Sequence, residues 1–503
     1  MARARAPKEL ILVAKPALSL PVPEDLPVTA EHSSALELAN SSSLEQTLAA
    51  HGAWLEPLFG LRKSVEFDDS PHLESMDVPA SSRSGFYEVM FSGANAEDLA
   101  AQLRADPNTE AVYVKPGLEL TTLDEGRTLA APELPPVTPS LRSMQGYLGA
   151  PTTGINALAA WDIPGGDGTD IQIVDIEGAW LFTHEDLKDK ARLIEEGQQS
   201  PELDWRNHGT AVLGVFSGDR NSVNGNDVGI TGICPEANVI GVPVFGQPNS
   251  SHPDVAGSAA AIRQGADALR PGDIMLLELQ LPGPPDFAVR NDQQGYIPIE
   301  WWPDNLEAIQ YAVTKGVIVV AAAGNGGVDL DSDIYDQQPQ PPHGPFPEGW
   351  KNPFRRDPID SGSILVGAGA PPPFSINETD LGPDRSRLAF SNYSRMVDAQ
   401  GWGGEVTTCG FGNLQKGHDE NRWYRIDFNG TSSAAPMVAG ALACVQGVLK
   451  KAGQPLLTPA RARKLLIDTG SKQTNGPNGT VAQRIGNRPN IIAMLTDLGF
   501  SLN

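Results

Sequence analysis

The run Asn429-Gly430-Thr431-Ser432-Ser433-Ala434-Ala435-Pro436, continued by small and apolar residues from Met437 to Leu449, constrains this chain most. Small residues after a Gly-Thr-Ser turn predict a helix, with Pro436 in its first turns, where a missing N–H costs little. Ser432 then stands at a helix N-terminus, where free N–H groups and the positive end of the dipole favour a developing negative charge. Gly430 lets another backbone come close. A serine so placed suits nucleophilic chemistry. Its hydroxyl is a weak nucleophile at neutral pH, so the reading requires a base elsewhere in the chain.

Two upstream stretches supply candidates. Asn207-His208-Gly209-Thr210 is expected to open a helix of Ala, Val, Leu and Gly, with His208 as the base. Asp170 to Ile176 reads as a buried parallel strand with Asp175 near its carboxyl end, where open α/β sheets place functional groups. The order Asp175, His208, Ser432 is that of the subtilisins and differs from the chymotrypsin and α/β-hydrolase orders. On these blocks, and on Gly324-Asn325-Gly326 after an apolar strand at 317–323, the chain resembles the subtilisin-like serine proteases (subtilases, peptidase family S8).

The resemblance implies an α/β fold: a subtilisin-like three-layer domain with a mostly parallel central sheet, preceded by a small α/β, ferredoxin-like prodomain. It implies Asp175, His208 and Ser432 as the catalytic triad and the Asn325 side chain as an oxyanion-hole donor beside the Ser432 N–H. It puts Glu278, Leu279, Gln280, Ala323 and Gly324 on the substrate-binding cleft, with a protein or peptide as substrate. Two places depart from the family pattern. Ile176-Glu177 follows Asp175 where Ser or Thr and then Gly are usual, and Glu177 is expected to point to solvent because strand residues alternate in facing. Glu278-Leu279-Gln280 stands where Ser-Leu-Gly is common. Main-chain pairing with a peptide survives that change, whereas an acidic Glu278 is expected to favour a basic residue before the scissile bond. His184, in His184-Glu185-Asp186-Leu187, reads as structural.

Residues 1–117 form an N-terminal extension and prodomain in this reading. Within them Glu9–Ala14 reads as a strand, Ser33–Ala50 as a helix and 61–84 as loop. Phe86–Phe91, Ala96–Arg104 and Ala111–Val114 then form a strand–helix–strand unit. The resemblance implies that this unit binds the catalytic cleft in cis. Residues 118–143, rich in Pro, Thr and Glu, are expected to be an exposed linker holding a processing site. Residues 144–503 form the catalytic domain, with a Pro- and Gly-rich insertion at 281–303 in which Trp301 and Trp302 are expected to pack.

Composition narrows the partners. Of 503 residues, 37 are Lys or Arg and 62 Asp or Glu, a formal charge of −25, which disfavours nucleic acid and anionic membranes. Three cysteines exclude a dense disulfide framework. No membrane insertion is expected. No standard signal peptide is legible, which points to a cytoplasmic protein or one secreted by a non-standard route. The chemistry requires no cofactor. The acidic loop Asp329-Leu330-Asp331-Ser332-Asp333 with Asp336 is an expected solvated loop, with structural calcium as its other reading and no assigned metal ligands. The sequence therefore points to a serine endopeptidase made as a zymogen. The alternative is a catalytically silent subtilase scaffold that binds peptides or partner proteins. A serine esterase fits less well, because Gly-x-Ser-x-Gly is absent.

Overall fold

The computed structural model describes residues 6–15, 43–59, 85–91, 95–121, 135–188, 191–193, 197–245, 257–373 and 380–501. Seven strands form the central sheet, in the spatial order Ala399–Trp402, Ile364–Gly369, Ile318–Ala322, Ile274–Leu277, Gln172–Glu177, Asn238–Pro243 and Ala191–Leu193. Every neighbouring pair is parallel. A parallel sheet needs crossovers, which bury both of its faces, and its strands are accordingly apolar throughout. On one face Ile173, Val239, Leu276, Val320 and Val366 pack against the helices Leu203–Ser217 and Thr431–Lys451. On the other, Val174, Val242, Met275 and Val319 meet the helices Ser258–Asp267 and Pro303–Thr314. This is the three-layer α/β arrangement the sequence implied.

Among the described residues one helix, Thr431–Lys451, is long and apolar enough to cross a membrane, and its apolar window is wholly buried as the central helix of this core. Cys234, Cys409 and Cys444 are buried and none is in a disulfide. Trp301 and Trp302 are fully buried, packed edge to face on each other, and Trp302 tilts against Tyr113.

The N-terminal part is an antiparallel sheet in the order Trp54–Pro57, Phe86–Met90, Glu9–Ala14, Thr109–Lys115. The helices Ser43–Ala50 and Ala96–Arg104 cover it through Leu44, Leu48, Leu99 and Leu103. Asn95 starts the second helix where expected, its side chain accepting from the Asp98 N–H. The first part of the helix expected over 33–50 and the loop expected over 61–84 lie outside the described residues.

This sheet is locked onto the three-layer part by a buried cation. Lys115 Nζ pairs with Glu9 at 2.5 Å and with Asp304 in the first turn of the helix Pro303–Thr314, and donates to Ser258 Oγ at 3.0 Å. Tyr113 Oη donates to the other Asp304 oxygen at 3.0 Å. Glu88 lies on the same patch, buried, its Oε1 without a hydrogen-bond partner. A Cβ on Gly257, at the start of the helix Ser258–Asp267, would come within 2.7 Å of Glu9 Oε2 and 3.0 Å of Glu88 Oε2, so only glycine leaves room for both carboxyls. One lysine thus faces three acids. Burial first, then the charge on Glu9, pushes Glu88 up to about 8, with Asp304 and Glu56 adding to the rise and Lys115 opposing it.

A carboxyl raised in the folded state contributes stability that is complete below its ordinary value of 4.5 and is lost as pH climbs toward about 8. Glu88→Gln, which stays neutral, should therefore gain in melting temperature on the wild type as pH rises from 5 to 8. Differential scanning calorimetry of both full chains checks this, and a difference that does not grow with pH contradicts it.

Candidate active site

Ile173, Asp175 and Glu177 alternate along one strand and so share a face, the one covered by the helices that carry His208 and Ser432. This corrects the expectation that Glu177 points to solvent, because residues two apart on a strand point the same way. Glu177 and His208 are both fully buried, and His208 Nδ1 lies 2.8 Å and 2.9 Å from the two Glu177 oxygens. Asp175 was expected to hold the imidazole. Instead its Oδ2 accepts from the Trp180 indole N–H at 2.8 Å, and its Oδ1 has no hydrogen-bond partner. His208 does not open its helix. It falls in the second turn of Leu203–Ser217, against the edge of the Phe428 ring at 5.6 Å.

Ser432 is the second residue of the helix Thr431–Lys451, as the small-residue run required. Gly430 caps that helix at φ 96°, ψ 179°, a conformation that a side chain would strain. The Ser432 Oγ donates to the Thr121 carbonyl oxygen at 2.7 Å, and the Ser432 N–H reaches the same oxygen at 3.2 Å. The segment Leu118–Thr121, expected to begin an exposed linker, is buried in the cleft. Glu119–Leu120 pairs antiparallel with Leu279–Pro282, whose other neighbour is Tyr296–Pro298.

Leu279 and Gln280 therefore flank an extended segment of the chain itself. The largely apolar run 273–280 is two strands in two sheets, broken at Glu278. That break leaves the Glu278 carboxyl fully buried beside Asp175 and Glu177, with Oε2 at 3.2 Å from the Thr121 hydroxyl. Burial raises Asp175, Glu177 and Glu278 well above the ordinary carboxyl range. The charge on Glu177 adds to the rise at Asp175, and those on Asp175 and Glu177 add to it at Glu278. No cation among the described residues bonds to Glu278, so its expected welcome to a basic side chain has no partner geometry here.

Asn325 is 1% exposed and is hydrogen-bonded through its Oδ1, its Nδ2 and its backbone N–H. Its Oδ1 accepts from the Thr431 N–H at 2.9 Å and the Thr431 hydroxyl at 3.0 Å. Its Nδ2 donates to Gln293 Oε1 at 3.0 Å, and its backbone N–H to Gln280 Oε1 at 2.8 Å. Both glutamines turn their amide N–H groups to the Leu120 carbonyl, at 2.7 Å from Gln293 and 2.9 Å from Gln280. Asn325 thus lies one residue layer from the segment in the cleft. The carbonyls of Ala323 and Gly324 accept from Asn392, and no described hydrogen bond joins them to Glu119–Thr121.

Sequence reasoning missed Gln293 and Tyr296, whose hydroxyl meets Glu119 Oε1 at 2.7 Å. Both come from the insertion, and no local pattern marks them. Of the acidic loop, Asp333 and Asp336 are paired with Arg355 and Asp331 with Arg395. His184, Asp186 and Cys409 form a buried group with metal-ligand spacing. Its polar atoms are engaged: His184 with the Trp423 carbonyl and the Asp186 N–H, Asp186 with Asn221, Ile230 and Tyr424.

Residues 166–487 match the model of the subtilase family. The extracellular protease of Xanthomonas campestris pv. campestris is 25% identical over 75% of this chain, and the chain spans 58% of that protein's length. The intracellular serine protease of Paenibacillus polymyxa is 27% identical over 64% of this chain and 80% of its own length. Subtilisin Savinase of Lederbergia lenta is 25% identical over 56% of this chain and 77% of its own. Among solved structures, fervidolysin from Fervidobacterium pennivorans, a keratinolytic enzyme related to subtilisin, aligns with a TM-score of 0.52 at 18% identity. That alignment covers 100% of this chain and 62% of fervidolysin, a likeness of fold.

Trp180→Phe keeps the ring that stacks on Phe182 but removes the donor to Asp175. It should cost about 1–3 kcal/mol, the scale for stranding a buried polar group. Urea unfolding of the full chain reads the loss, and an unchanged midpoint contradicts it.

Proposed function

The chain belongs to the subtilase family, the subtilisin-type serine peptidases of family S8, and on that premise we propose that it hydrolyses peptide bonds with Ser432 as nucleophile, His208 as base and Glu177 as the carboxylate behind the base. The observation that carries this is the seat of the Thr121 carbonyl, 2.7 Å from the Ser432 hydroxyl oxygen and within reach of the Ser432 N–H. A carbonyl held there presents to the Ser432 hydroxyl and to a backbone donor the oxygen on which charge would develop.

His208 takes the Ser432 proton as the hydroxyl adds to the carbonyl carbon. Glu177 fixes the imidazole through Nδ1 and lies 2.8 Å from the positive charge that then forms. The proton passes to the departing amine, an acyl-enzyme remains, and water releases it by the same steps in reverse order. Asp175, bonded to Trp180, has no part in holding the imidazole in this account. Asn325 braces the nucleophile turn through Thr431. With one amide hydrogen on Gln293, its second remains for an oxyanion.

The same seat supports a zymogen. The N-terminal sheet anchors a strand whose last described residue, Thr121, stands where a substrate's acyl residue would, so the chain fills its own cleft. Self-cleavage then falls on the bond after Thr121. A second reading, a silent scaffold that keeps a peptide in its cleft, draws on the departure at Asn325, whose amide is engaged with Gln293.

Intact mass against time separates the two. The wild type should lose its first 121 residues and leave Thr122 as the new N-terminus, while Ser432→Ala stays whole. Glu177→Gln should slow the cut by a factor on the order of 10⁴, the scale for neutralising a triad carboxylate. Asp175→Asn should slow it by about tenfold at most. If wild type and Ser432→Ala behave alike, the enzyme reading fails. If Asp175→Asn is the slower variant, the assignment of Glu177 fails.

A further inference from the structure

We propose that Glu278 makes this enzyme select a hydroxyl-bearing residue, threonine or serine, on the acyl side of the bond it cuts. The inference rests on the peptidase reading and deepens it. The Thr121 side chain lies fully buried against the break between the strands Ile274–Leu277 and Leu279–Pro282. Its Oγ1 is 3.2 Å from the Glu278 carboxyl Oε2 and also 3.2 Å from the Glu278 backbone carbonyl. These are two polar atoms of one buried residue, aimed at one side-chain position. The other carboxyl oxygen, Oε1, has no hydrogen-bond partner, so Thr121 is the group that satisfies this carboxyl.

A hydroxyl fits both contacts at once. Its one hydrogen is shared between the Glu278 backbone carbonyl and the carboxyl Oε2, both of which accept from it. Burial, then the neighbouring Asp175 and Glu177 charges, push the Glu278 carboxyl up, and the hydrogen bond from Thr121 opposes that rise. Valine has threonine's shape without the oxygen. In its place both Glu278 atoms would be left buried and unpaired, and a site built to bond a hydroxyl discriminates strongly against the analogue lacking one. Lysine would bring a longer side chain and an ammonium into a wholly buried space. The same burial that raises the Glu278 carboxyl weakens the ion pair that would compensate such an ammonium. The expectation that an acidic Glu278 favours a basic residue is thereby reversed. The rest of the segment gives the frame for a substrate: Leu120 carbonyl on Gln280 and Gln293, and Glu119 on the Tyr296 hydroxyl.

The test uses the full chain in two assays. In cis, Thr121→Ser, Thr121→Val and Thr121→Lys are followed by intact mass. In trans, acetyl-Leu-Glu-Leu-Xaa-aminocoumarin peptides with Xaa Thr, Ser, Val, Leu or Lys are followed by fluorescence. The expected result is kcat/KM, or the rate in cis, higher by about tenfold or more for Thr and Ser than for Val, a preference that Glu278→Leu abolishes and Glu278→Gln retains. Should Glu278→Leu fail to fold, the wild type's Thr-to-Val ratio decides alone. Val equal to Thr, or Lys preferred, in whichever assay shows cleavage, overturns this inference and leaves the peptidase intact. Cleavage in neither assay overturns the peptidase reading, and the inference with it.

Discussion

A carboxylate 2.8 Å from a buried imidazole is the contact on which the site depends. Glu177 and His208 are wholly inside the protein, and neither would be stable there as a lone charge. A proton held between the two Glu177 oxygens and Nδ1 fixes the tautomer of the ring, and in the proposed reaction it is Nε2 that takes the Ser432 proton. The backbone makes this possible cheaply. The strand Gln172–Glu177 ends inside the sheet, and its alternation delivers Asp175 and Glu177 to one face. The longer side chain, one step nearer the strand end, meets the histidine. The shorter one is held by an indole from the loop that follows.

The cleft is closed by the chain's own backbone. Glu119–Leu120 adds an edge to Leu279–Pro282, so main-chain bonds position the segment whatever its side chains. What holds it in place is upstream: Lys115, in the strand that leads to it, is buried among Glu9, Asp304 and Ser258. Removing such a cation would strand the acids around it, whereas the acids outnumber it and one must keep a proton. The N-terminal sheet is thus docked through a contact whose strength follows pH, six residues from the carbonyl at the nucleophile.

Ser432 was legible because everything that places it is local: a glycine turn, a cap and a run of small residues. The strands Gln172–Glu177 and Ile318–Ala322 were legible as apolar runs, expected over 170–176 and 317–323, whereas the short strand Ala191–Leu193 was not. The carboxylate partner was misplaced for a reason of geometry. Facing along a strand repeats every two residues, so Asp175 and Glu177 could not point apart, and which of them reaches His208 depends on side-chain length and on the helix across the sheet. Gln293 and Tyr296 were illegible, since a Pro- and Gly-rich insertion has no period to show which of its residues turns inward. Thr121 was hidden by its composition: a short apolar-acidic step before a Pro- and Thr-rich tract reads as linker until a sheet edge is found for it.

The most direct measurement is the proton spectrum of the full chain labelled with ¹⁵N-histidine, which detects a hydrogen-bonded imidazole N–H far downfield. The account predicts one such resonance from His208 Nδ1, present in Asp175→Asn and absent in Glu177→Gln. A resonance that survives Glu177→Gln and vanishes in Asp175→Asn would return the histidine to Asp175 and contradict the account.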